Sequence, residues 1–240
     1  MKKTSNMLMA ILVFALTIFV FNGTSILLSY VSVFFGVLLR GESGVSDTYY
    51  YLLGHQNLYS FLIYFTAFVL FALWYYFAVI QPRGLKPFLK ARTEGLSPAC
   101  FGWILLLAFA VQHLTSLVFT LIDMFSPAAV ENYSQMVETS GLTEYSFVWF
   151  LSTLILPPLT EEIIFRGLLL GYLKKTGIPF LAANLIQAVC FGIYHQNLAQ
   201  GIYTALLGFL LGYLAQRYGT LIAPMFLHFL YNLFGTVLVD

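Results

Sequence analysis

Three ionisable residues fall together inside an apolar stretch. They are Glu161, Glu162 and Arg166 in the run Leu159-Thr160-Glu161-Glu162-Ile163-Ile164-Phe165-Arg166-Gly167. An ionisable group in a transmembrane segment costs about 2.5–3.5 kcal/mol on insertion scales, so it usually faces a cavity or a partner. Glu162 and Arg166 are four apart, which puts them on one helix face where they can pair. Glu161 lies about 100° further round and need not share that arginine. The spacing therefore assigns Glu162 and Arg166 to a structural pair and leaves Glu161 as the carboxylate available for chemistry. Just upstream stands Pro157-Pro158. Proline suits a first helical turn and disrupts a helix interior, so one short helix is expected to end here and another to begin. Both glutamates would then lie near a new N-terminus, whose dipole favours negative charge. A broken helix at membrane depth is tolerated where it borders protein or a wet cavity.

Further polar groups at membrane depth extend the pattern. Phe191-Gly192-Ile193-Tyr194-His195 ends one apolar run, with Asn184 and Gln187 earlier in it. His228-Phe229-Leu230-Tyr231-Asn232 sets His228 and Asn232 on one face of another, with Pro224 one turn before the histidine. A third run holds Gln112 and His113. Taken singly, each has an ordinary explanation. A glutamate-arginine pair can be a clasp between helices. His113 reads as a hydrogen-bonded packing residue, His55 as a loop residue facing water or the interface, and tyrosines near span ends as interfacial anchors. The functional reading rests on the combination, a carboxylate pair, two histidines and an asparagine on three helices.

The set Glu161-Glu162-x-x-x-Arg166, Phe191-x-x-x-His195 and His228-x-x-x-Asn232 resembles the motifs of the CPBP intramembrane proteases. That family includes the CAAX prenyl endopeptidases and the bacterial proteins called Abi or bacteriocin-processing enzymes. The resemblance covers about 157–239; the first 145 residues match only as generic membrane spans, and a final span beyond Asp240, present in eight-helix members, is not seen. It implies hydrolysis of a peptide bond in a lipidated or hydrophobic, membrane-associated peptide or lipoprotein. By motif, Glu161 and His195 would activate water, and His228 and Asn232 would support the oxyanion. Glu162, Arg166 and Phe191 would be supporting residues, and no metal or other cofactor is implied. The chemistry is consistent, since a carboxylate shielded from bulk water is a better base near neutral pH. Donors aimed at a developing oxyanion give about 3 kcal/mol each.

Two other readings stand beside this one. Glu161, His195 and His228 could instead hold zinc, since three protein ligands plus water make an open catalytic site, although no HExxH occurs. A non-catalytic membrane immunity or interaction protein could also carry this fold. A transporter is a weaker reading, since no inverted repeat is visible.

The elements that must position these residues follow from composition. Of 240 residues, 60% are hydrophobic and 9% are charged, and the net charge is +1. Mean hydropathy is +0.86. A soluble domain is about one-quarter charged, so ordinary solubility, disorder and nucleic-acid binding are excluded in favour of a multi-pass membrane protein. Cys100 and Cys190 read as small buried residues, with no CxxC spacing. Apolar runs lie near 7–39, 58–81, 98–122, 145–173, 178–195, 201–216 and 220–239, with a polar, tyrosine-rich loop at about 40–57. The expected fold is all-α, a single polytopic transmembrane bundle of about seven spans over 1–240, or eight if Asn22-Gly23 divides the first run. That run reads as an uncleaved span rather than a signal peptide. Lys2 and Lys3, then Arg83, Lys86, Lys90 and Arg92, then Lys174 and Lys175, then Arg217 mark alternate loops as basic. The loop at 123–144 carries Asp123, Glu131, Glu138 and Glu144 and no basic residue. The positive-inside rule then puts the N-terminus in the cytoplasm, and Lys2-Lys3 without organellar transit features favours a bacterial plasma membrane. Nothing in the sequence sets an oligomeric state or a substrate; leader, bacteriocin or pheromone precursors are family-level candidates, as are prenylated proteins in a eukaryotic host.

Overall fold

Backbone crossing lipid must satisfy its own hydrogen bonds, and helices do so within one segment. In the computed structural model, which describes residues 2–93, 96–142 and 145–237, no strand occurs among those residues. Glu94, Glu144 and Asp240 lie outside them.

Ten helices follow along the described chain. The first, α1 (Lys2–Arg40), is a single 39-residue helix. Asn22 does not divide it, because its amide donates to the Ile18 carbonyl one turn back at 2.9 Å. At 1.5 Å per residue α1 is about 58 Å long, well over the ~30 Å hydrocarbon core. The tyrosine-rich stretch expected as a loop is instead largely helix α2 (Ser43–Leu53). Gly41, at φ 68°, turns the chain back, and Gly36 and Gly44 leave no room for a Cβ between them, so the two backbones pack closely. Helix α3 (Gln56–Arg83) closes through a π turn and a 3-10 turn. The loops expected on either side of the third span each contain a short helix, α4 (Leu85–Thr93) and α6 (Pro127–Thr139), flanking α5 (Pro98–Phe125).

Helix α7 (Phe147–Lys175) runs through Pro157-Pro158 without a break, contrary to the expected division. Two π-helical segments, Phe150–Ile155 and Glu162–Leu169, flank the diproline turn. The wider π turn relieves the clash between each proline ring and the preceding turn, so the helix continues instead of ending. The remaining helices are α8 (Phe180–Tyr194), α9 (Leu198–Tyr218) and α10 (Ile222–Val237).

Five helices, α1, α3, α5, α7 and α9, are long and apolar enough to cross a membrane; α8 and α10 are apolar but only 15 and 16 residues long. All seven expected apolar segments are therefore helical, and the chain is a polytopic helical bundle. The last two reach only ~22–24 Å. α8 stops at the turn His195-Gln196-Asn197, where Gln196 takes a positive φ of 55° and Asn197 caps α9 by accepting from the Gln200 amide.

α7 sits at the centre and packs against α1, α3, α8, α9 and α10. Its Ile164, Phe165 and Leu168 meet Val13 of α1, Phe71 of α3 and Phe191 of α8. A second core joins Ile104 and Ala108 of α5 to Leu211 of α9 and Leu227 of α10. α8 and α9 form a close hairpin, since Gly192 faces the Gly201 backbone and Gly212 faces the Asn184 side chain with no space for a Cβ. Small residues at such contacts substitute for the hydrophobic drive that lipid removes.

Candidate functional site

Packing round α7 buries the charged triplet. Glu161 is 1% exposed, Glu162 0% and Arg166 4%. Removing one partner of a buried pair costs several kcal/mol, so each group needs a partner. Arg166 Nη1 donates to Glu162 Oε1 at 2.9 Å, the expected structural pair. Its Nη2 donates to the Gly208 carbonyl of α9 at 3.0 Å, and its guanidinium carbon lies 4.5 Å from the Phe191 ring centroid. Phe191, the first residue of its motif, thus supplies a cation–π platform for the arginine.

The same Gly208 carbonyl also accepts from Gln187 Nε2 at 2.9 Å. Gln187 further donates to Asn184 Oδ1, and Asn184 to the Phe209 carbonyl. These two buried amides lock α8 to α9. Their donors are spent on the scaffold, while Gln187 Oε1 has no hydrogen-bond partner among the described residues.

His228 of α10 stands between the two glutamates. Its Nδ1 lies 2.9 Å from Glu162 Oε1, and its Nε2 lies 3.6 Å from Glu161 Oε2. An ionised carboxylate only accepts, so Nδ1 carries the proton shared with Glu162. Glu161 Oε2 is buried and makes no hydrogen bond among the described residues.

The other oxygen of Glu161 is held from outside the three motifs. Tyr64 of α3 donates to Glu161 Oε1 at 2.8 Å, and Tyr194 of α8 donates to the Tyr64 hydroxyl at 3.3 Å. Tyr64, Tyr194 and His195 line a cavity of about 240 Å³, with Phe21 and Asn22 of α1 opposite. His195 Nε2 is buried there without a hydrogen-bond partner among the described residues. The His195 and His228 rings lie on the same phenylalanine, 5.1 and 5.9 Å from the Phe191 centroid. Depth counting along separate helices sets these histidines apart; the shared Phe191 brings them to one site.

Asn232 has a local chemical reason for its position. Pro157 and Pro158 carry no N–H, so the Thr153 carbonyl loses both its α-type and its π-type donor. Asn232 Nδ2 supplies the missing bond at 3.1 Å. One amide hydrogen of Asn232 is thereby committed to α7 and the other is left over.

The residues outside the cluster have simple partners. His113 bonds the Phe109 carbonyl of its own helix but is exposed rather than packed. His55 is exposed and stacks on Tyr51 at 4.0 Å. Cys100 is buried as expected, while Cys190 is only half-buried; both are free. Among the described residues no group of three or more His, Cys, Asp or Glu side chains is arranged to hold a metal ion.

Tyr64 is not among the residues that motif spacing singles out, and the anchor role applies only to tyrosines near span ends. Its place inside a span, away from the ends, is the signal that a buried hydroxyl needs a partner. Tyr194 carried a similar signal next to His195.

Residues 143–234 match the family model described as type II CAAX prenyl endopeptidase, Rce1-like. A Bacillus subtilis (strain 168) protein named "Putative membrane peptidase YdiL" is 36% identical over 85 residues, 35% of this chain and 34% of the relative. The match thus spans about a third of that curated relative's length. No solved structure matches the chain. Together these findings bear out, for the motif-bearing part, the resemblance to the CPBP intramembrane proteases.

Proposed function

We propose that this chain, whose residues 143–234 are Rce1-like, is an intramembrane endopeptidase that hydrolyses a peptide bond in a hydrophobic or lipidated peptide. The observation that carries the reading is Glu161. It is buried, one oxygen is fixed by Tyr64, and the other is unpartnered 3.6 Å from His228 Nε2. Glu162 also keeps one unpartnered oxygen, Oε2, but its Oε1 is taken by both Arg166 and His228, whereas no cation is hydrogen-bonded to Glu161 among the described residues.

In the proposed reaction Glu161 Oε2 takes a proton from water as the water oxygen attacks the peptide carbonyl carbon. The carbonyl electrons move onto oxygen, and that oxyanion is supported by the second amide hydrogen of Asn232 and by His228, which in this scheme acts as an imidazolium that keeps Nδ1–H on Glu162 and offers Nε2–H. The proton held by Glu161 then passes to the leaving amine as the C–N bond breaks and the carbonyl re-forms. His195, in the cavity wall beside Tyr64, would complete the group that orders the water. Glu162 and Arg166 hold His228 and α7 in place, and Phe191 supports Arg166. The proposed setting is a bacterial plasma membrane and the proposed substrate class a membrane-associated leader, pheromone or lipoprotein precursor. No metal is needed in this scheme.

The test uses the full chain in lipid vesicles with quenched hydrophobic and prenylated peptides. Glu161→Gln is expected to lower turnover by about 10²–10⁴-fold, the usual contribution of a general base, with thermal unfolding unchanged. Wild-type turnover by this variant would overturn the assignment. Activity is expected to persist in excess chelator, and a loss reversed by added zinc would overturn the metal-free scheme in favour of zinc held by Glu161, His195 and His228.

A further inference from the structure

Away from this site, α3, α7 and α9 all end at one pole of the bundle. α1 begins there, since Asn6 reaches the Lys175 carbonyl and Lys3 Nζ lies beside Gly177. Between these ends is a cavity of about 500 Å³, within the usual range of ligand pockets. Its wall includes Arg83 from α3, Lys174 and Lys175 from α7, and Arg166 at its inner side. Among the described residues that line it, none is acidic.

The charge of Arg166 is already matched by Glu162. Its Nε is nevertheless buried without a hydrogen-bond partner among the described residues, on a side chain 4% exposed. Arg83 and Lys175 face no carboxylate among the described residues of the wall. Both, like Lys174, are also positioned. Lys174 donates to Gln216 Oε1 at 2.5 Å, Lys175 sits 5.0 Å from the Tyr172 ring centroid, and Arg83 donates to the Val79 carbonyl at 2.7 Å. A Cβ at Gly171 would meet nothing within 4 Å, so α7 presents bare backbone to open space there. Val79, Leu168, Leu170 and Leu221 give the wall an apolar part, beside the polar Gln216 and Thr220.

Cationic groups above an apolar wall, at the end of spanning helices, suit an amphiphile with a negative head. Phosphate oxygens accept several charge-assisted hydrogen bonds at once, which fits a set of arginine and lysine donors. We propose that this cavity binds the phosphate headgroup of an anionic phospholipid. The proposal is independent of the proteolytic reading, and its readout is lipid retention rather than cleavage.

The experiment incubates the full-length protein in detergent with equal amounts of phosphatidylglycerol and phosphatidylcholine and follows delipidation by native mass spectrometry. The wild type is expected to keep one phosphatidylglycerol with about tenfold preference. The pair Arg83→Glu and Lys175→Glu, both exposed in the structure, should abolish that preference. Gly171→Leu, which fills the cavity and changes no charge, should lower retention of either lipid there. If Gly171→Leu does not fold, as judged by thermal unfolding, the charge variants decide alone. Equal retention of both lipids, or an unchanged preference in the charge variants, would overturn the proposal as ordinary annular lipid. Displacement of the lipid by millimolar inorganic phosphate, or a co-purifying peptide in its place, would overturn the assignment to a phospholipid.

Discussion

A carboxylate withdrawn from water is useful only if its neighbours fix which oxygen reacts. In the proposed reaction that discrimination falls to Tyr64, which engages Glu161 Oε1 at 2.8 Å and leaves Oε2 to face His228. Tyr64→Phe keeps the ring and deletes the donor. A hydrogen bond to a charged group contributes about 1.5–3 kcal/mol, and loss of that amount at the transition state is a fall of roughly ten- to hundredfold in kcat. The expected outcome is that fall with KM unchanged, measured on the same peptide that reports Glu161→Gln. A variant with wild-type kcat would remove Tyr64 from the site. The pairing of Glu162 with Arg166 was legible in the sequence because four residues along a helix is a local distance. The tyrosine was not, because its partner lies 97 positions away.

On the scale of one element, α7 resolves a conflict between proline chemistry and membrane depth. The sequence led to a break at Pro157-Pro158; the structure instead widens the helix and hands the orphaned Thr153 carbonyl to Asn232. This makes a specific coupling between residues 75 positions apart in sequence, Pro157 and Asn232. Asn232→Ala should cost about 1–3 kcal/mol by leaving that carbonyl unpaired. Pro157→Ala restores a backbone N–H one turn after Thr153, so the same asparagine change should cost about 1 kcal/mol less in that background. Unfolding in detergent of the four proteins in the cycle gives the coupling. Equal costs in both backgrounds would show that the proline does not set the asparagine's task. Glycines set the next element boundary. α8 and α9 approach so closely that Gly192 and Gly212 have no room for a side chain, which brings the Gly208 carbonyl within reach of both Arg166 and Gln187.

For the whole molecule, low charge content and apolar periodicity identified a polytopic helical bundle, and the alternating basic loops predicted its orientation. The structure adds that the N-terminus of α1 and the end of α7 share one pole, while Asn57, Gly141, Tyr145 and Thr236 are joined by hydrogen bonds near the other. In a chain with Cys100 and Cys190 replaced by alanine, single cysteines at Lys3 and Lys175 should be reached by an impermeant maleimide only from the cytoplasmic side. A cysteine at Glu138 should react from outside. Labelling of Lys3→Cys and Lys175→Cys from different sides would refute the shared pole, and reversed labelling of all three would refute the orientation. The sequence by itself determined the class of fold, the seven apolar segments and the ion pair within α7, since composition and helical spacing are properties of neighbouring residues. Only the tertiary structure decided that the first run is one helix folded back on α2, that α7 is continuous, and that Tyr64, His228 and Asn232 meet α7. Those outcomes depend on contacts between helices far apart in the chain. Helical periodicity reports which face of a helix is polar, but packing alone determines what that face meets.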